Sequence, residues 1–252
     1  MPELLSVVIP ARNEEKNIGP CLDELSFELE REKIPFELIV VDDVSEDRTA
    51  CFVEQRTDSR IRLIRRRGEP GFGRAVRAGL DAMAGEVVVI YMADRSDDPR
   101  DAVAYYRAIQ SGYDCVFGSR FVPGGSVEHY PPVKRAVNRL VNRTVQVLFW
   151  TRFNDLTNAF KAYRADVIRD CGPYSASHFN ITLEMSLSAL IREYRTVQIP
   201  IRWYGRTWGS THLRLRDMGR KYLYVLIKMW AERILIKDDI MADRRAHDRA
   251  RR

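Results

Sequence analysis

Short apolar runs, rich in β-branched residues, recur through the first half of the chain: Leu5–Pro10, Phe36–Val41, Ile61–Ile64, Val87–Met92 and Asp114–Gly118. Segments of helical spacing lie between them. Ile18, Leu22, Leu25 and Leu29 mark one from Asn17 to about Glu32, and others span Arg74–Met83 and about Asp101–Ser111. Runs apolar on both faces predict strands of a buried, mostly parallel sheet. Their alternation with amphipathic segments predicts a doubly wound α/β fold. Ser45-Glu-Asp-Arg offers a further helix start, and Arg65–Gly73 reads as a basic loop bearing glycines.

The second half is less regular. Helices are predicted over Pro131–Trp150, with a basic side of Lys134, Arg135, Arg139 and Arg143, over Ala165–Cys171, and over Ile181–Arg192, which carries Glu184. Asp155–Phe160 reads as a strand or turn, Thr196–Ile201 as a strand, and Trp203–His212 as a polar loop. A long amphipathic helix, Asp217–Ile236, and a charged tail close the chain.

Candidate chemistry sits where strands end. Phe36–Val41 runs into Asp42 and Asp43, and Val87–Met92 into Asp94, Asp97 and Asp98. Open α/β sheets bind ligands beyond the carboxyl ends of their strands. Asp97 and Asp98, just ahead of Pro99, read as caps of the following helix. Asp94 is not explained that way. A carboxylate there is costly to desolvate without a cation or a hydrogen-bond partner, and a metal carrying a nucleotide diphosphate would satisfy it.

Composition narrows the classes. The 252 residues suit one large α/β domain with an extension, or two small domains, and 45% hydrophobic residues suffice for a core. No run approaches the ~20 apolar residues of a spanning helix. Met1 leads almost directly into a strand, so no signal peptide is expected. Four widely spaced cysteines read as reduced cytosolic thiols rather than metal ligands. The net charge of +6 favours anionic partners. Acid-tipped strands speak against a groove for the phosphate backbone of nucleic acid.

Several motifs in a shared order carry a resemblance: VVIPARNEE, IVVDDVSEDRT, MADRSDDP, GSRF, DLTNAFKAYR (Asp155–Arg164), the helix bearing Glu184, and RTWGSTHL. From about Leu5 to Leu213 the chain resembles family 2 glycosyltransferases of the GT-A fold. It is most similar to the dolichol-phosphate mannose synthase-like branch, which loads sugars onto polyprenyl phosphates. The resemblance implies a Rossmann-like, mostly parallel sheet flanked by helices, forming a catalytic domain over residues 1–213. Residues 214–252 then form an amphipathic helix and basic tail.

The implied activity is inverting transfer of a sugar from a nucleotide diphosphate sugar, by default GDP-mannose, to a polyprenyl or dolichyl phosphate. In that reading Pro10, Arg12 and Glu14 line the base, Val41 and Asp43 contact base and ribose, and Ala93 and Asp94 face the nucleotide sugar. Asp94 holds Mg²⁺ or Mn²⁺, while Arg120, Arg206 and His212 meet the diphosphate. Asp94, Arg120 and Glu184 are the catalytic candidates, and Glu184 orients the sugar hydroxyls or the metal shell, or else pairs with a neighbouring arginine. Lys134, Arg135 and Arg139 are the candidate grip on the acceptor phosphate, or an ordinary basic helix face.

Three departures stand out. Met92 replaces the first acid of the family's DxD, and a thioether is a poor ligand for hard cations. Arg12 occupies a position that is usually aromatic, and His212 one that is often lysine. Two other readings compete: a family 2 transferase with a saccharide, protein or other acceptor, and a catalytically silent sugar-nucleotide-binding homologue. The closing helix places Leu223, Leu226, Ile227, Trp230 and Ile234 on one face, widened by Tyr222, Val225 and Met229. With a tail of five arginines against two aspartates from Met241 to Arg252, it predicts peripheral attachment to the cytoplasmic face of a membrane. Core packing and a homo-oligomer interface are the other uses for such a face.

Overall fold

A computed structural model describes residues 3–205 and 215–250 of the chain. In chain order its elements are β1 (Leu5–Ala11), α1 (Ile18–Arg31), β2 (Phe36–Asp42), α2 (Thr49–Glu54), β3 (Ile61–Arg65), α3 (Phe72–Ala82), β4 (Val87–Ile90), α4 (Pro99–Gln110) and β5 (Cys115–Ser119). There follow β6 (Ser126–Glu128), α5 (Pro132–Leu148), β7 (Lys161–Arg164), α6 (Ala165–Cys171), α7 (Ile181–Ile191), β8 (Thr196–Pro200), β9 (Arg202–Tyr204), α8 (Leu215–Leu235) and α9 (Lys237–Ala250).

Seven strands form one sheet in the order β3-β2-β1-β4-β7-β5-β8, and β6 pairs with β9 in a small second sheet. Alternating side chains bury both faces of the large sheet. Val8, Ile39, Val41, Val88 and Phe117 pack with residues of α3, α6, α7 and α8 on one side. Leu5, Val7, Ile9, Leu38, Val40, Val87 and Val116 pack with α1 and α4 on the other. A strand buried on both faces needs no polar alternation, which is why the apolar runs are continuous.

The structure refines three sequence expectations. The strand entering the acid cluster ends at Ile90 rather than Met92. Tyr91 N–H still bonds to the Val8 carbonyl, at 2.9 Å, but Met92 N–H turns to the Asp97 carboxylate at 3.1 Å, so the ladder stops. Of the strand or turn expected over residues 155–160, the turn is what forms. The strand follows at β7, antiparallel between β4 and β5, with Val88 opposite Tyr163 and Val116 opposite Ala162. The tail is helical as far as Ala250. It returns to the domain, with Lys237 paired to Glu193 at 2.6 Å, Ile240 against the core and the Arg244 guanidinium 3.9 Å from the Tyr194 ring centroid.

Lys161, fully buried in β7, ties the 155–160 turns to α7. Its ammonium donates to the carbonyls of Leu156 (2.5 Å) and Thr182 (3.2 Å) and to Ser186 Oγ (2.6 Å). Burial pushes its pKa down to about 7, although the charge of Asp155 opposes the shift. The closing helix α8 divides its apolar residues between two faces. Val225 and Met229 are fully buried, whereas Leu223, Ile227, Trp230 and Ile234 are exposed.

Candidate active site

The loops beyond the carboxyl ends of β1, β2, β4 and β5 converge on one open cleft of about 1080 Å³. Pro10, Arg12 and Glu14 enter from β1, Asp43 from β2, and Arg120 from β5. Met92, Ala93, Asp94, Ser96 and Asp97 enter from the β4–α4 loop. His129, Tyr130, Lys134 and Asn138 come from the start of α5 and the loop before it, and Trp203 from β9. The predicted ligand edge is therefore where the topology places it.

Each side chain is held by local chemistry. Asp43 accepts the Gly71 N–H at 2.6 Å and pairs with Arg66, fastening the basic loop across the cleft. Gly73 lets the start of α3 approach the 175–178 loop; a Cβ there would lie 2.3 Å from the Ala176 carbonyl oxygen. Phe72 stacks on Phe179 at 4.2 Å, with the rings nearly parallel, across the same junction. Glu14 accepts from Asn17 Nδ2 at 2.7 Å, and its own N–H bonds to Thr49 Oγ1 at 2.8 Å.

The β4–α4 loop is the most tightly built part. Arg95 adopts a positive φ of 60°, a conformation few non-glycine residues take, and this curls the chain back on itself. Asp94 Oδ1 accepts the Ser96 N–H at 3.1 Å. The Tyr91 hydroxyl donates to the Asp97 carbonyl at 2.6 Å, and Asp97 bridges to Trp203 of β9. Asp98 alone caps α4, accepting the Arg100 N–H at 2.9 Å. Asp97, expected to share that role, instead turns into the cleft. It is 3% exposed, and its Oδ1 has no hydrogen-bond partner among the described residues. Burial, aided by the negative charge of Asp94, pushes its carboxyl well above the usual range.

Arg120 is buried against Asp155, which is fully buried. Nε donates to Oδ2 at 2.8 Å and a terminal nitrogen to Oδ1 at 2.7 Å, a bidentate fork. Phe121, Tyr130 and Trp203 surround the guanidinium, with ring centroids 5.3–5.7 Å away. Burial opposes its charge, but Asp155 overrides this and raises its pKa.

Other predicted residues lie elsewhere. Val41 belongs to the hydrophobic core and does not line the cleft. Lys134 reaches the cleft, but Arg135 and Arg139 turn to the Phe121 ring, at 5.9 and 4.6 Å. Glu184 is 1% exposed and outside the cleft lining. Its carboxylate accepts the N–H groups of Ser175 and Ala176 and pairs with Lys228 at 2.7 Å, pinning the 175–178 loop to α8. Burial would raise its pKa, but these partners lower it. Arg206 and His212 lie outside the described residues. Asp155 lies within the DLTNAFKAYR motif with no role assigned by it, and neither motif nor spacing points to Tyr130, Trp203 or the inward turn of Asp97.

The model for glycosyl transferase family 2 matches residues 6–172. The chain belongs to that family. This glycosyltransferase is 26% identical over 215 residues to a polyprenol monophosphomannose synthase of Mycolicibacterium smegmatis, covering 82% of this chain and 80% of the relative. It is 27% identical to a dolichol-phosphate mannosyltransferase of Pyrococcus furiosus, over 90% of this chain and 65% of that protein. An undecaprenyl-phosphate mannosyltransferase of Micrococcus luteus is 26% identical over 82% of this chain and 86% of its own. The fold matches the crystal structure of glucosyl-3-phosphoglycerate synthase from Mycobacterium tuberculosis in complex with Mn²⁺, uridine diphosphate and phosphoglyceric acid. The TM-score is 0.70 at 20% identity, covering 90% of this chain and 78% of that one. The glycosyltransferase thus has the mostly parallel, helix-flanked GT-A architecture.

Proposed function

We propose that this glycosyltransferase is an inverting enzyme that moves a sugar from a nucleotide diphosphate sugar, by default GDP-mannose, to a polyprenyl phosphate at the cytoplasmic face of a membrane. The names of its relatives support the acceptor class, and one structural observation carries the reading. Helix α5 sends Lys134 and Asn138 into the cleft while exposing Val133, Val137, Leu140 and Val147 outward. A ligand with an anionic head and an apolar tail matches that pairing.

The chemistry follows from charge. A phosphate monoester has a second pKa of about 6 and is largely a dianion at neutral pH. It can attack the anomeric carbon without a general base, so placement and electrostatics carry the catalysis. Lys134 receives the acceptor phosphate. Arg12, Glu14 and Asp43 surround the nucleoside, and Arg120, fixed by Asp155, faces the diphosphate. Glu184 acts at a distance by holding the 175–178 loop. A divalent cation fits the β4–α4 loop, where a buried carboxylate oxygen lacks a partner. Among the described residues no group of three or more His, Cys, Asp or Glu could hold a metal, so Asp94 would share it with phosphate oxygens and water. Bound there, the cation supplies Lewis-acid stabilisation of the leaving nucleoside diphosphate.

A panel of radiolabelled GDP- and UDP-sugars, offered with a polyprenyl phosphate, tests the reading. One sugar nucleotide should yield organic-extractable label in an acceptor-dependent way. Transfer only to water-soluble saccharides would overturn it.

Membrane attachment rests on the exposed faces of α5 and α8. No helix among the described residues is long and apolar enough to cross a membrane. Leu140 and Ile227 are 69% and 59% exposed. Burying one such side chain contributes about 1.5–3 kcal/mol, so Leu140→Ser and Ile227→Ser should each lower vesicle partitioning by about tenfold or more. Nucleotide binding should stay unchanged. Flotation with phosphatidylglycerol vesicles at low salt reads the effect, and an intact protein that ignores such vesicles assigns these faces to a subunit interface instead.

A further inference from the structure

We infer that Asp97 replaces the carboxylate lost at Met92 and shares a divalent cation with Asp94, an assignment that rests on the glycosyltransferase reading. The pattern MADRSDDP leaves one acid, Asp94, of the expected pair, and Met92 offers a hard cation only a soft thioether. The fold brings a second carboxylate to the same place from five residues downstream. Asp97 Oδ2 accepts the main-chain N–H of Met92 itself, at 3.1 Å. The acid therefore lies beside the backbone of the residue whose side chain it would replace.

Its backbone is held from two sides, by the Tyr91 hydroxyl at 2.6 Å and by the bridge to Trp203. The positive φ of Arg95 makes the return turn. One oxygen is thus occupied, while the other, Oδ1, is buried without a partner among the described residues, and both Asp94 and Asp97 line the cleft. A buried carboxylate oxygen with no donor, close to a second carboxylate, is costly in either protonation state. A divalent cation between Asp94 and Asp97 removes both penalties. Capping does not account for the position, because Asp98 already fills that role. A cation with two protein carboxylates leaves positions for diphosphate oxygens and water, as hard-oxygen sites for Mg²⁺ and Mn²⁺ require.

The test is Mn²⁺ uptake, followed by the electron paramagnetic resonance signal of free Mn²⁺, with the metal alone and with GDP or UDP present. Asp97→Asn keeps an oxygen acceptor for the Met92 N–H and removes only the charge. It should lower Mn²⁺ affinity by more than the roughly 10–100-fold lost with an outer-shell partner, and leave the melting temperature equal or higher. Met92→Asp in that background should restore uptake. If Asp97→Asn does not fold, Asp97→Ser, which also keeps an acceptor oxygen, carries the same comparison. Wild-type affinity in either folded variant overturns the role of Asp97 and leaves the transferase reading intact. Failure of transfer with every sugar nucleotide would overturn that reading instead, and Mn²⁺ uptake with GDP or UDP would still report on Asp97.

Discussion

Replacing Asp94 with Asn should slow sugar transfer by about a thousandfold with little change in stability. Stabilisation of developing charge by a bound cation is worth several kcal/mol, and about 4 kcal/mol is about a thousandfold in rate. The fold should survive because the acceptor role of Asp94 is local: its Oδ1 takes the N–H of Ser96, two residues on, at 3.1 Å. An amide oxygen can do the same but brings no negative charge to a cation. Single-turnover rates at saturating Mn²⁺, together with thermal unfolding, separate the two effects. Turnover within tenfold of wild type would show that Asp94 does not bear on the chemistry.

The largest stability effect should come from Asp155→Ala. Asp155 is fully buried and accepts three hydrogen bonds from Arg120, one from its main-chain N–H and two from its guanidinium. Arg120 is itself 8% exposed, so removing its partner strands a charge where water cannot replace the lost interactions. Breaking a buried ion pair from one side costs about 3–5 kcal/mol. The double replacement Arg120→Met with Asp155→Leu should recover much of that loss, because two charges no longer need desolvation. Urea unfolding of the single and double variants measures it. A loss below about 1 kcal/mol for Asp155→Ala would mean that the pair is solvated and worth no more than an exposed one.

The two effects identify different parts of the cleft. The Arg120–Asp155 fork lies where β5 meets the turns before β7, so it couples folding to the shape of the site. The β4–α4 loop instead brings the carboxylates of Asp94 and Asp97 to the cleft.

What the sequence determined by itself is the scaffold and the edge on which the site forms. Continuous β-branched runs such as Val7–Ile9 and Val87–Ile90 can be stable only when buried on both faces, and helical spacing between them supplies the covering layers. Acids at the strand ends then mark the ligand edge, and Asp43, Asp94, Arg12 and Lys134 do lie there. Tertiary structure decided the rest, because it depends on contacts far apart in the chain. β7 is too short and too polar to announce itself, and its place antiparallel between β4 and β5 depends on partners far away in the chain. Val225 and Ile227 lie two residues apart, on opposite sides of α8, and packing against α7 makes the first core while the second stays at the surface. Glu184 and Asp97 show the same limit in opposite directions. Glu184 lies outside the cleft because Lys228 and the 175–176 amides claim its carboxylate. Asp97 is drawn in because a left-handed turn at Arg95 folds it back onto Met92, a geometry that linear spacing does not reveal.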